Sequence, residues 1–450
     1  MFLNDAPEVK FLKKKWSSIT EAHSDRTPEV KSDNLKGVIA RLLENNAKEK
    51  INVDLLSEKV DLPESDMRMD EDTPSNVTAG IAQYNPVIGA MVRRTIPLLM
   101  HTDIVGTQPM KMNNGQIFAL TQHYGPQADA DHTNEALVNE PDTAFSGVSS
   151  DGTKGDVTPV ASDREEDPFA DLYTSGSAGL TADFEGDITA EMSVKVESIN
   201  VTARTRAMRS TFSREMETDL KTAHNIPAES LISNMMTDEM AAEQNRELVR
   251  KLYGVAKPGA QNDVQTAGVF DLNTDSNGRW MVERFKGLMF QLDRDANQIF
   301  YDTRRGTANF IIASADVVSA LAGAGYLDYD GPLAKDAGIT SDMGNTLFAG
   351  VLNKRYRVYI DPFVTVRNFV LIGYKGADSM DAGMFWCPYV PFIPEQATDP
   401  KSGQPILFFK TRYGLVSNPF VRRADGTRDG EALTQSRNHY YRKLRVDNLM

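Results

Sequence analysis

Cysteine is almost absent: Cys387 stands alone in 450 residues. No internal disulfide can form and no multi-cysteine metal site can be built, which fits synthesis in a reducing cytoplasm. The two sequon matches, at Asn76 and Asn200, then carry no meaning as glycosylation sites. Long apolar runs are missing too. Nothing approaches the ~20 residues that cross a bilayer, and the polar start MFLNDAPEVKFLKKKW has no signal-peptide core. Positive charge is scarce, with 49 Lys+Arg against 63 Asp+Glu and a net charge of −14. A dedicated phosphate-gripping protein carries a dense basic face, so this balance argues against a nucleic-acid reader. It does not prevent an acidic chain from enclosing nucleic acid. The familiar catalytic signatures are absent as well: no GxxxxGK(S/T) loop, no GxGxxG after a strand, no GxSxG elbow, no HExxH. The triplet SDN at Ser32 is an isolated fragment of a β-lactamase motif set. No repeat of about 20–50 residues is visible.

What is present is one outsized helix signal. NIPAESLISNMMTDEMAAEQNRELVRKLYG, from Asn225 to Gly254, reads as a single helix. Asn225 is the expected N-cap, Pro227 suits the first turn and Glu229 sits at the positive end of the dipole. Leu231, Met235, Ala242, Val249, Leu252 and Tyr253 make one apolar stripe, with Arg250 and Lys251 in the last turn and Gly254 as the C-cap. Such a helix is about 40 Å long, more than twice the usual length.

In chain order, residues 1–64 look separable. Leu35, Val38, Ile39, Leu42 and Leu43 form an amphipathic helix behind a Ser32/Asp33 cap, and an earlier helix holds Phe11, Leu12 and Trp16. The segment ends in an acidic linker, DLLSEKVDLPESDMRMDEDTPSN, and composition favours a small packed helical subdomain before it. Residues 80–110 read as an extended arm with one short helix around Ile88 to Thr95, broken by Pro86, Gly89, Pro97 and Gly106. Gly115–Gly125 is a strand. Pro126 to about Asp187 is acidic and short of aliphatics, so it must protrude or be covered by a partner. Ile188–Arg206 is a long strand with Ile188, Met192, Val194, Val196, Ile199 and Val201 alternating, and the two strands pair as a ribbon that needs something to lie on. Thr211 to His224 is helical. A second amphipathic helix runs from about Trp280 to Thr303 with Phe285, Leu288, Met289 and Leu292 on its face. Phe310–Ala313 is a strand followed by a Ser314 cap and a helix. Strand–helix alternation continues, the end is β-rich, and Arg422–Met450 is a polar, basic tail.

Candidate site residues are few. His123 and His132 flank Asp129 and Asp131 and could be drawn as a metal site, but a solvated acidic loop is the commoner reason for such a cluster. His23, His101, His224 and His439 are scattered. Cys387, between Trp386 and Pro388, reads as a buried inert thiol. Arg204 and Arg206 share one face of a strand. They read as a solvated face or as an inter-subunit contact with an acidic loop such as Asp163 to Asp167. No catalytic, cofactor or metal site is expected. Elements that need neighbours imply assembly.

Several blocks carry a resemblance: GAMVRRTIPLLMHTDIVGTQPM (Gly89–Met110), GQIFAL, NFIIAS (Asn309–Ser314), LFAGVLNKRYRVYID (Leu347–Asp361), GYKGADSMDAGMFWCPYVPF (Gly373–Phe392) and FKTRYGLVSNPF (Phe409–Phe420). In this order they resemble the major capsid proteins of T-even-like tailed phages. The resemblance implies an α+β, Hong Kong 97-like shell fold with a long spine helix. Residues 1–64 become a cleavable leader acting inside the prohead, 65–114 the N-terminal arm and 115–222 the extended ribbon loop with its acidic insertion. Residues 223–295 become the peripheral domain with the spine helix, 296–400 the axial domain, and 401–450 the peripheral return and tail. It implies hexameric capsomers in an icosahedral lattice. The implied partners are vertex, portal, scaffold and decoration proteins, a maturation protease, and enclosed double-stranded DNA held without sequence-specific binding. Such a protease favours a glutamate two residues after leucine or isoleucine, which points to Glu64–Ser65, with Glu58–Lys59 as the alternative. The ribbon-tip insertion of T-even relatives is longer than the acidic stretch here. Other readings are the vertex protein of the same phages, a nanocompartment shell, and a cytoplasmic enzyme.

Overall fold

The computed structural model describes residues 7–17, 35–45, 99–125, 177–329 apart from positions 186, 187, 189, 226, 262, 277 and 279, 347–364, and 368–449 apart from 379, 402, 424 and 425, with isolated positions at 136, 141 and 145–147. Helices in chain order are α1 (Pro7–Lys15), α2 (35–45), α3 (His101–Ile104), α4 (Thr181–Phe184), α5 (Arg214–His224), α6 (Ala228–Val255), α7 (Met281–Thr303) and α8 (Ala315–Gly323). Strands are β1 (Gly106–Thr107), β2 (Asn114–Tyr124), β3 (Met192–Thr202), β4 (Arg204–Thr211), β5 (Ala256–Pro258), β6 (Val269–Asp271) and β7 (Phe310–Ser314). They continue with β8 (Leu327–Tyr329), β9 (Leu347–Leu352), β10 (Tyr356–Asp361), β11 (Asn368–Gly373), β12 (Met384–Thr398), β13 (Pro405–Ser417) and β14 (Asn438–Asp447).

The chain forms two units. One comprises Met1–Gly115, Asn200–Asp302 and Gly306–Met450; the other comprises Gln116–Ile199 with Thr303–Arg305. In the first unit, an eight-stranded sheet has the order β5-β14-β11-β7-β10-β9-β8, with β6 also on β14. A four-stranded sheet has the order β1-β12-β13-β4, and β2 and β3 make a two-stranded ribbon.

The long helix exists, but its ends and its face differ from the sequence reading. Asn225 adopts the left-handed conformation, φ 54° and ψ 30°, and closes α5 through its N–H to the carbonyls of Leu220 and Lys221. It is a C-cap, not the N-cap of α6; extended Pro227 fills that position. A short asparagine side chain tolerates left-handed backbone, and the nearby proline keeps α5 from running on into α6. At the other end Gly254 is helical, and Ala256 ends the helix in extended conformation as it enters β5 alongside β14. Sheet pairing terminates α6 there. Lys443 Nζ donates to the carbonyls of Tyr253 and Gly254, satisfying the helix end in place of a glycine cap.

The 28 residues of α6 span about 42 Å. Its C-terminal half buries Ala241, Leu248, Val249, Leu252 and Val255 in the main core, with α7, α8 and the large sheet. Its N-terminal half packs Ala228, Met236 and Met240 against Phe212, Phe392, Leu407 and Phe409 in a second cluster. Leu231 and Met235, expected in the stripe, are exposed. Apolar pairs at 231/232 and 235/236 straddle two faces, so periodicity could not choose between them. The neighbouring sheet did.

Three further expectations are corrected. Ile188–Arg206 is not one strand: β3 ends at Thr202, the Ala203 N–H bonds Asn113 O, and β4 joins β13 in the other sheet. Among the described residues no α-helix follows α8, so the expected strand–helix alternation does not continue there. β9 and β10 are antiparallel neighbours joined by the three residues 353–355, where the Arg355 N–H bonds Leu352 O around Asn353 and Lys354, both at positive φ. Residues 422–450 are not a polar tail, because β14 lies between β5 and β11 with Tyr440, Tyr441, Leu444 and Val446 buried. Its Arg442 is buried and pairs with Asp302 at 2.9 Å. Beside it, Gly373 is required: a Cβ there would lie 2.3 Å from Phe310 Cζ. The expected α7 forms, with Leu288, Met289 and Leu292 in the core. Ser314 stands at the start of α8, although its hydroxyl donates to Asn368 Oδ1 rather than capping the helix.

In the ribbon unit the alternation is inverted. Ile117, Ala119, Thr121 and His123 of β2 are covered, as are Ser193 and Ile199 of β3. Phe118, Leu120, Met192, Val194 and Val196 face outward, where polar residues are the rule. The expected apolar face of Met192, Val194 and Val196 is thus the exposed one, out of phase with Ile199 and Val201.

Candidate functional site

Three groups of side chains on α6 hold the first unit together. The first clamps β4. Arg206 donates to Glu247 at 2.5 Å and to Glu243 at 3.0 Å, and its Nε reaches the Tyr413 hydroxyl at 2.6 Å. The Tyr413 hydroxyl donates to Glu247 at 2.5 Å, and Lys251 pairs with the same carboxylate at 2.5 Å. Burial alone would raise the Glu247 carboxyl, but hydrogen bonds from Lys251, Tyr413 and Arg206 outweigh it and hold the pKa at about 2. Burial and the adjacent carboxylate push the Tyr413 phenol up.

A second group holds the segment from Met100 to Thr102. Asn245 Oδ1 accepts the Met100 N–H at 3.0 Å, and Lys375 Nζ donates to Thr102 O. Between them His101 is fully buried, its ring 4.9 Å from Trp386. Burial pushes the His101 imidazole down to about 3, with Glu247 opposing and Lys251 adding to the effect. Both its ring nitrogens, and Trp386 Nε1, lack hydrogen-bond partners among the described residues.

The third group is a half-buried pair: Arg246 Nη1 donates at 2.8 Å to both oxygens of Asp361, which is 2% exposed. A polar recess of about 140 Å³ is lined by Gln291, Arg294, Asp295 and Arg442 among others. Its groups are already engaged: Asp295 accepts from Ala260 N and Gln291, Arg294 donates to Asp263, and Arg442 to Asp302. These arrangements position backbone. None aligns a nucleophile with a base.

The profile of the major capsid protein Gp23 family matches residues 81–446. The chain belongs to this capsid family. Its relatives include the major capsid protein of Vibrio phage KVP40, 32% identical over 97% of this chain and 100% of that one. That of Enterobacteria phage T4 is 31% identical over 91% and 92%. The capsid vertex protein of Escherichia phage AR1 matches at 22% identity over 57% of this chain and 65% of its own. Among solved structures, the capsid of myophage XM1 superposes with a TM-score of 0.40 at 9% identity, covering 77% of this chain and 92% of that one. The match to major capsid proteins is stronger and longer than the match to vertex proteins, so this Gp23 relative is a virion shell protein of the major class.

The residues singled out in the sequence of this capsid protein fall in different places. Arg206 is engaged within its own subunit by Glu243, Glu247 and Tyr413; Arg204 opens β4 and is exposed. Cys387 is buried and its thiol is pushed up by burial. His123 is buried, with Nε2 2.9 Å from Thr121 Oγ1 of its own strand. Asp129, Asp131, His132, Asp163 to Asp167, Glu58, Lys59, Glu64 and Ser65 lie outside the described residues, as does the expected helix around Ile88 to Thr95. Among the described residues no group of His, Cys, Asp or Glu is arranged to hold a metal. Sequence reading missed Glu247, Tyr413 and Asn245. The partners of Glu247 and Tyr413 are separated by up to 207 residues, and no local pattern links them.

Proposed function

We propose that this chain is the repeating subunit of a tailed-phage head, forming hexameric capsomers in a closed icosahedral lattice around double-stranded DNA. The match to the Gp23 family over residues 81–446 carries this reading. On it, α6 is the spine of a Hong Kong 97-like subunit. Residues 1–64 are a leader removed by a maturation protease, 65–114 the arm, 115–222 the ribbon loop, 223–295 and 401–450 the peripheral domain, and 296–400 the axial domain. Cleavage falls at Glu64–Ser65, with Glu58–Lys59 as the second site. The outward apolar face of Phe118, Leu120, Val194 and Val196 supports assembly, since a soluble ribbon gains nothing by exposing it. Copies of this chain, with a vertex protein at the corners, supply the cover, while portal, scaffold and decoration proteins complete the particle. Exposed Arg204 contacts a neighbouring subunit. The chain performs no catalysis, and overlapping weak contacts in many copies stabilise the shell.

Mass spectrometry of the protein from mature particles tests this reading. Hundreds of copies per particle with a new N-terminus at Ser65 are expected. A handful of copies would assign a vertex role instead, and an intact Met1 in DNA-filled heads would refute the processing step. Arg204→Glu should lower particle yield; unchanged yield retires that contact.

A further inference from the structure

Helix α2 is covered around its whole circumference. Residues 37–43 are buried in unbroken succession, among them Ile39, Ala40, Leu42 and Leu43 at 2% exposure or less. A helix with one docked face leaves its other side wet; burial all round marks an internal element. Helix α1 covers one side through Leu12 and Trp16, and Lys15 and Trp16 Nε1 both donate to Glu44. At its end α2 reaches the shell body. The Asn45 amide, itself 7% exposed, donates at 2.8 Å to Met110 O and at 2.8 Å to Tyr389 O.

Those two carbonyls sit at a particular joint. The segment after β1 runs along β12, with Gln108 N–H to Trp386 O and Met110 N–H to Pro388 O, both at 2.9 Å. Tyr389 falls where the β12–β13 register shifts, between Pro388 paired with Tyr413 and Val390 paired with Arg412. A side-chain amide has two N–H donors, and Asn45 spends both across the joint, one on the arm and one on the bulge of β12.

We propose that Asn45 is a clasp: the leader pins the arm to β12 at Met110 and Tyr389 until processing removes it. The inference rests on the reading of residues 1–64 as a cleaved leader. Loss of the leader strips both carbonyls of their donor at once. The Gln108 and Met110 ladder bonds to β12 then lose this side-chain support. One cut far along the chain is thereby converted into freedom at a specific joint of the shell.

Hydrogen exchange of the Gln108 and Met110 amides, read in full-length precursor, tests the clasp. Asn45→Asp keeps the side-chain shape and removes both donors. It should accelerate exchange at these two amides on the order of tenfold to a hundredfold, with β7 and β11 unaffected. Should that variant fail to fold, Asn45→Ala removes the donors without adding charge and should act in the same direction. Unchanged exchange at Gln108 and Met110 overturns the clasp. Mature wild-type particles should exchange at these amides as fast as the Asn45→Asp precursor; protection equal to the wild-type precursor overturns the release. The N-terminus of the same particles, read by mass, judges the processing step separately, because the precursor measurement stands whether or not cleavage occurs.

Discussion

Replacing Glu247 by glutamine should loosen α6 from β4 in a pH-dependent way. Glutamine retains an oxygen for the Tyr413 hydroxyl but loses the charge that holds Arg206 and Lys251. The wild-type carboxyl is drawn from 4.5 to about 2, a difference worth about 3 kcal/mol in favour of its charged form at neutral pH. Its side chain is only 21% exposed, so solvent removes little of that; the Arg206–Glu243 contact is open on both sides and adds little. A loss of about 2–3 kcal/mol corresponds to a roughly 30- to 150-fold rise in the opening constant of the joint. Hydrogen exchange of β4 and of α6 between Glu243 and Lys251, in unassembled full-length chain, reads it directly. The sign follows from the depressed pKa. The stabilisation is complete above the unfolded value of 4.5 and is lost as pH falls towards 2. Wild-type protection, corrected for intrinsic exchange, should therefore decline across that window and converge on the variant. Equal protection in the two proteins at pH 7, or the same acid dependence in both, would refute the account of the clamp.

His101 gives a second pH signature. Its imidazole is lowered from 6.5 to about 3, so the unfolded chain binds a proton that the folded chain refuses, and stability falls as pH drops from about 6.5. His101→Phe should flatten unfolding stability between about pH 6.5 and 4.5, where wild type loses about 2–3 kcal/mol, as read by denaturant titration at each pH. Arg246→Ala would leave the buried Asp361 carboxylate without the nitrogen that donates to both its oxygens, and the subunit should lose about 3–5 kcal/mol; a smaller loss in Asp361→Asn would fit a charge left unpaired. Cys387, buried with a raised thiol, should resist alkylation in folded chain and react only after unfolding, as intact-mass shifts would report.

Much of this capsid subunit was legible along the chain because it is local or patterned. The helices α6 and α7, the turn into α8, the ribbon strand β2 and the buried thiol follow from spacing, proline and glycine placement, and apolar periodicity. The family blocks from Gly89 to Phe420 carry the resemblance to a phage shell in the sequence itself. Other features were decided only when distant segments met. The buried face of α6 was ambiguous because apolar residues flank both possibilities, and contact with Phe392, Leu407 and Phe409 selected Met236 and Met240. Asn225 looked like a helix start from one side and served as a helix end from the other. Residues 438–447 read as a basic tail because charge dominates their composition, yet β11 supplies the ladder and Asp302 the counter-charge that bury them. Glu247, Tyr413, Asn45 and Asn245 acquire their roles from partners in remote parts of the chain. A hydrogen bond between such positions has no period and no spacing, so only the folded chain can reveal it.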